Sequence, residues 1–178
     1  MRKSVIISLL SLLLAVGILL GMNLGLSDLK EKKMQAELDA KLLEILPGST
    51  AFEQEAYTGD DANIRTVYKA ERGYVVLTAT QGYAGTITML IGVSNDGKVT
   101  GLQIRQMSET YGLGWKALTD VDFLAQFLNT KGDAQVGENV DAIAGATVTS
   151  KAVARSVNSA VAFVTGADIG SGATSWGG

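Results

Sequence analysis

The hydrophobic pattern changes character along the chain. Val5 to Leu24 carries no charge and is dominated by Leu, Ile and Val. A helix of about 20 such residues rises roughly 30 Å, enough to cross a hydrocarbon core. The run reads as an uncleaved anchor, because its apolar core is long for a cleaved signal and Gly21–Ser27 offers no Ala-x-Ala site. Ser27 or Asp28 then caps a second helix reaching about Leu46. Leu29, the stem of Lys33, Leu38, Leu42 and Ile45 lie on one stripe, and Pro47-Gly48 stops it.

Further on the period shortens to two. Thr86–Val93 and Lys98–Arg105 flank Ser94-Asn-Asp-Gly97, which predicts a hairpin. Ile87, Met89, Ile91 and Val93 share one face, as do Leu102 and Ile104, whereas Val99 falls out of phase and predicts a bulge. Gly73–Ala79 reads as another strand. Helices are expected around residues 119–129 and 150–165, the latter from Val153, Val157, Ala160, Val161 and Val164 at helical spacing. The fold class expected is α+β: a twisted antiparallel sheet with packed helices, preceded by one N-terminal transmembrane helix. Residues 1–26 form the membrane anchor (span about 5–24), 27–48 a linker helix, 49–166 the single folded domain and 167–178 a Gly-rich tail.

Charge adds orientation. Arg2 and Lys3 precede the span, and short basic flanks stay in the cytoplasm, which places the N-terminus inside and the C-terminal domain outside the cell membrane. Lys30, Lys32 and Lys33 vote the other way, diluted by Asp28 and Glu31. Of 15 Lys+Arg and 18 Asp+Glu, only Arg2 and Lys3 lie before residue 27, so the rest carries 13 against 18 and a net charge of −5. Nucleic-acid binding is therefore not expected.

The chain contains neither His nor Cys. That argues against iron–sulfur clusters, ordinary haem ligation, structural zinc, thiol catalysis and a Cys-linked lipid anchor, and it removes the usual general base for Ser-type hydrolysis. No metal site is expected. Asp60-Asp61 and Asp120/Asp122 read as turn and cap residues, so no independent catalytic site is expected either.

Candidate chemistry concentrates in Asp141-Ala-Ile-Ala-Gly-Ala-Thr-Val-Thr-Ser150. Ala144, Gly145 and Ala146 leave the backbone open beside the hydroxyl of Thr147. Thr149 or Ser150 can cap the helix that follows. Its first-turn amides favour an anion such as phosphate, and Lys151 adds a full charge.

This segment resembles the modification motif of the FMN-binding subunits of membrane redox complexes, Asp-x-x-Ser/Thr-Gly-Ala-Thr/Ser. Asp141, Gly145, Ala146 and Thr147 match it, with Ala144 where the family usually has Ser or Thr. The resemblance implies one covalent FMN, left on Thr147 as a phosphoester when a flavin transferase splits FAD. Asp168–Thr174 fits the same pattern with Ser171 in the fourth place, which makes Thr174 the alternative attachment residue. No helix pattern follows it, so Thr147 ranks first. Glu109-Thr-Tyr-Gly-Leu-Gly114 resembles the family's Glu-Thr-Pro-Gly-Leu-Gly, with Tyr111 in place of Pro. Gly112 and Gly114 around Leu113 can lie flat against an isoalloxazine ring, and Glu109, Thr110, Thr149, Ser150 and Lys151 complete the candidate cofactor-binding set.

A redox protein without metal ligands must borrow its electron carrier, and a tether prevents its loss outside the cytoplasm. In layout the chain resembles the G-subunit family of the Rnf complex, which shares its FMN-binding domain with the C-subunit family of the sodium-pumping NADH:quinone oxidoreductase. That resemblance implies an electron relay among other membrane subunits of an ion-translocating ferredoxin:NAD oxidoreductase driving Na+ or H+. The alternatives are a stand-alone anchored extracytoplasmic flavoprotein and an anchored domain that binds a ligand or partner without flavin.

Overall fold

The computed structural model describes residue 30 and residues 32–167. The expected anchor and the tail beyond residue 167, Thr174 included, lie outside the described residues. Among the described residues no helix is long and apolar enough to cross a membrane. The chain divides into two units, Met1–Ala40 and Lys41–Gly178. In the first, residues 32–40 are helical, and Gln35 Nε2 donates to Asp39 Oδ1 one turn on, at 3.0 Å. In the second unit, helical residues 41–45 are termed α1.

The second unit is built on a five-stranded sheet, β1 (Glu53–Glu55), β2 (Ile64–Ala70), β3 (Gly73–Gln81), β4 (Thr86–Ser94) and β5 (Val99–Met107), each pairing antiparallel with the next. With its helices this is the α+β architecture expected. The predicted hairpin is β4–β5. Val93 pairs with Val99 while Gly92 pairs with Gly101, so Thr100 is the bulged residue and Val99 returns to the core face. The sequence pattern did not reveal β2. A register shift between Ile64 and Thr66 spaces its buried positions, Ile64 and Val67, three apart and breaks the period of two.

One face of the sheet carries Ile87, Met89, Ile91 and Val93, all buried against the long helix α4 (Thr147–Thr165). Val153, Val157, Ala160 and Val161 of α4 supply the apolar side of that contact, and Val164 packs at its margin. Small residues, Ala152, Ala154, Ser156 and Ser159, are buried as well, which brings the helix close to the strands. The Thr80 and Ser156 hydroxyls bond to each other inside this layer. Asn158, on another side of the helix, pairs both side-chain atoms with the backbone of Ala134, at 3.1 and 3.0 Å. The buried polar groups of Thr80, Ser156 and Asn158 are thereby satisfied. Gly166, at φ 67°, ends the helix in the left-handed conformation that glycine adopts without strain.

In place of the helix expected around 119–129 there are two short ones, α2 (Gly114–Thr119) and α3 (Val121–Ala125). Asp120 separates them. Its extended backbone ends α2, and its carboxylate accepts from Phe123 N at 2.9 Å to cap α3. Phe123 and Phe127 then bury edge to face, 5.3 Å between centroids.

The other face of the sheet receives the chain at the end of α1. Leu42, Ile45 and Leu46 are buried, and Thr100 Oγ1 donates to Ile45 O at 2.7 Å. The paired glycines Gly92 and Gly101 make room for this backbone: a Cβ on Gly101 would lie 2.7 Å from Ile45 O and 3.0 Å from its Cα. Alanine ordinarily gains about 0.5–1 kcal/mol over glycine inside a strand. Here the obstacle is backbone, and overpacking costs about 1–3 kcal/mol, so the clash wins. Gly101→Ala should lower the free energy of unfolding in urea by about 1–2 kcal/mol; a gain in stability would show that Ile45 does not occupy this notch.

Candidate functional site

Both sequence motifs end in the same kind of turn. Ala146 N donates to Ile143 O at 2.9 Å, with Gly145 at φ 77° in the third position. Leu113 N donates to Thr110 O at 3.3 Å, with Gly112 at φ 82° in the corresponding place. A positive φ there is what type II turns require, and glycine supplies it. Proline favours the second position of such turns; here Tyr111 occupies it, and its ring lies 5.4 Å from that of Trp115.

The fold brings these turns together. A Cβ on Gly145 would stand 3.1 Å from Leu113 Cδ2, so the two loops are in direct apposition. A third loop joins them, the β3–β4 connection Gly82–Gly85, closed by Gly82 N donating to Gly85 O at 2.8 Å. Between the three lies a pocket of about 330 Å³ lined by Tyr83, Leu113, Gly114, Gly145, Ala146, Thr147, Val148 and Thr149. Its rim is apolar and open: Tyr83 is 70% exposed and Leu113 46%.

Helix α4 starts earlier than the Ser/Thr pattern suggested. Ala146 is the N-cap, and no side chain caps the helix. Thr147, its first residue, is exposed, while Thr149 and Ser150 are buried inside the first turns. Their hydroxyls are used elsewhere. Thr149 Oγ1 donates to Glu109 Oε2 at 3.1 Å; Ser150 Oγ donates to Ala146 O at 3.0 Å and accepts from Ile143 N at 3.3 Å. The first amides of an α-helix have no partner within it, so this uncapped end presents free N–H donors beside the Thr147 hydroxyl.

The remaining candidates are placed as follows. Lys151 is half-buried one turn beyond Thr147 on the same helical face, and outside the pocket lining. Arg155, a further turn on, donates from Nη2 to Gln81 O at 2.9 Å, and burial lowers its pKa. Asp141 is exposed, its backbone held by Gln126 at 2.8 and 3.3 Å, and it does not line the pocket. Thr110 and Gly112 shape their turn without lining the pocket, and Glu109 sits behind it. Tyr83 and Val148 line the pocket without having been singled out. The one signal for Tyr83 in the sequence is an aromatic between Gly82 and Gly85, directly before the first strand of the hairpin. A larger groove of about 580 Å³ lies at the other end of α4, by Tyr57, Asp61 and Phe163, and contains none of the motif residues.

Residues 82–162 match the FMN-binding domain family. The chain is similar to the G subunit of the proton-translocating ferredoxin:NAD(+) oxidoreductase complex of Clostridium ljungdahlii, with 41% identity over 55% of this chain and 59% of that one. It is similar to the G subunit of the Na(+)-translocating ferredoxin:NAD(+) oxidoreductase complex of Acetobacterium woodii, with 41% identity over 50% and 47%. To the G subunit of the ion-translocating oxidoreductase complex of Methanosarcina acetivorans it shows 38% identity over 75% of this chain and 78% of that one. The matched stretch thus spans about half the length of the first two relatives. Among solved structures, Shewanella oneidensis NqrC aligns with a TM-score of 0.44 and 22% identity over 65% of each chain.

Gly145→Ala and Gly112→Ala both force a non-glycine residue to positive φ, a cost of about 1–2 kcal/mol. Only Gly145 faces a neighbour; nothing lies within 4 Å of a Cβ on Gly112. Urea unfolding should therefore show the larger loss for Gly145→Ala, and equal losses would count against the packing of Leu113 on this turn.

Proposed function

Since this chain belongs to the G-subunit family of ion-translocating oxidoreductase complexes, we propose that it is their membrane-anchored electron relay, carrying one FMN esterified to Thr147. The observation that carries this reading is the exposed Thr147 hydroxyl on an uncapped helix start, bordering a pocket walled by both motifs.

The residues present suit the group. A pocket of about 330 Å³ is at the small end of the roughly 300–1,000 Å³ usual for ligand sites, so it suits a ring held along one side with the other open to a redox partner. Leu113, Gly114 and Tyr83 offer apolar and aromatic surface to such a ring. The amides of Val148 and Thr149, together with Lys151, favour a phosphate on Thr147. Bound there, FMN would supply one- and two-electron transfer between fixed partners.

For attachment, the Thr147 oxygen takes the FMN phosphoryl group of FAD in a reaction run by a flavin transferase. The bond from Oγ to phosphorus forms, the bond between the two phosphates breaks, AMP leaves, and the hydroxyl proton is released. The single methyl of Ala144 and the missing side chain at Gly145 let the substrate approach. Thr174, outside the described residues, is the alternative acceptor. The span at residues 5–24 holds the domain at the outer face of the membrane, where other subunits of the complex supply and remove electrons.

Intact-mass measurement of the full chain from membranes should show an added FMN less one water, with in-gel flavin fluorescence after denaturation. Thr147→Ala should lose both, and Thr147→Ser, which keeps a hydroxyl, should retain them. Flavin retained in Thr147→Ala would move the bond to Thr174. An unmodified wild-type chain would remove the electron-relay reading altogether. Co-purification of other membrane subunits tests membership of a complex.

A further inference from the structure

We propose that Glu109 is a positioning residue whose carboxylate latches the Gly82–Gly85 loop and the first turn of α4 to the end of β5, and thereby sets which way Thr147 faces. Its consequence for the flavin rests on the assignment of Thr147; the latch itself belongs to the flavin-free chain.

Glu109 does not line the pocket. Its Oε2 accepts from Thr149 Oγ1 at 3.1 Å and from Ala84 N at 3.4 Å, drawing on two other segments at once. Oε1 is buried without a partner. The carboxylate fits because side chains are missing around it. A Cβ on Gly82 would lie 2.0 Å from Oε1, and one on Gly114 would lie 2.4 Å from Oε2 and 2.7 Å from Thr149 Oγ1. Neither glycine has positive φ, so space, not backbone conformation, is what glycine provides at these positions. Gly85 is similar, with Ser108 Cβ 2.7 Å from the place of its Cβ.

The effect on Thr147 follows from helix geometry. At 3.6 residues per turn, positions two apart lie about 200° around the axis. Holding Thr149 inward on Glu109, where it is 0% exposed, turns Thr147 outward, where it is exposed. No side chain caps this turn; the Ser150 hydroxyl ties it to the preceding loop through Ile143 N and Ala146 O, and the Glu109 bond adds a tie to the end of β5. An acceptor hydroxyl must meet its phosphorus in line, so its orientation enters the rate of attachment.

The test uses the full chain in detergent-solubilised membranes with Thr149→Val, Thr149→Ser, Glu109→Ala and Glu109→Gln, each checked by far-UV circular dichroism. Without the transferase, amide exchange across residues 82–85 and 109–114 is expected to rise about tenfold in Thr149→Val and Glu109→Ala, as for loss of a hydrogen bond to a charged group. Thr149→Ser should restore wild-type exchange. Glu109→Gln, which keeps an acceptor oxygen without the charge, should fall between. With purified flavin transferase and FAD, Thr149→Val should lower the kcat of attachment several-fold with the KM for FAD unchanged, and Thr149→Ser should recover it. Wild-type exchange in Thr149→Val and Glu109→Ala, or equal defects in Thr149→Val and Thr149→Ser, would overturn the latch. Flavin retained in Thr147→Ala would overturn the attachment site while leaving the exchange result standing, so the two failures are separable.

Discussion

The pocket depends on backbone approaching side chain at glycines. Gly82 and Gly114 leave room for the Glu109 carboxylate, and Gly145 leaves room for Leu113. A Cβ at Gly82 or Gly114 would displace the Glu109 carboxylate, and one at Gly145 would press on Leu113. Because the β3–β4 loop, the end of β5 and the start of α4 are far apart in the chain, their meeting is a tertiary event, and the polar bonds from Thr149 and Ala84 to Glu109 are what hold them in contact. Hydrogen bonds to a charged acceptor are among the stronger ones.

The sheet behind this junction is buried on both faces by different means. On one, large side chains such as Ile87, Met89 and Ile91 meet a helix rich in Ala, Ser and Val, so bulk comes from the strands and closeness from the helix. On the other, the paired glycines Gly92 and Gly101 take the backbone around Ile45 almost directly onto the strands. Close packing at both faces makes the β3–β4–β5 core a rigid base, and the site loops rise from its ends. Rigidity in the base and openness at the rim leave the pocket fixed in shape and reachable from outside.

Much of this was legible in the chain. Strict alternation from Ile87 to Val93 and the Asn-Asp-Gly turn specified the β4–β5 hairpin, and the phase break at Val99 located the bulge at Thr100. Apolar spacing specified α4 to within a few residues. Harder to read were β2, whose bulge disrupts the period, and Tyr83, which lines the pocket because of where its loop lies. The start of α4 was misread for a physical reason. Thr149 and Ser150 are good caps by intrinsic preference, but tertiary partners, Glu109 for one and the Ile143–Ala146 turn for the other, use their hydroxyls first.

Local chemistry written in consecutive residues therefore settled the class of fold, the hairpin register, the small-residue turn and the exposed threonine within it, since each rests on interactions a few residues apart. Which residues surround that threonine was beyond its reach. Glu109 behind the pocket, Leu113 against Gly145 and Tyr83 at the rim meet through contacts spanning tens of residues. Such contacts leave no periodic trace, because they depend on how a packed sheet aims its loops.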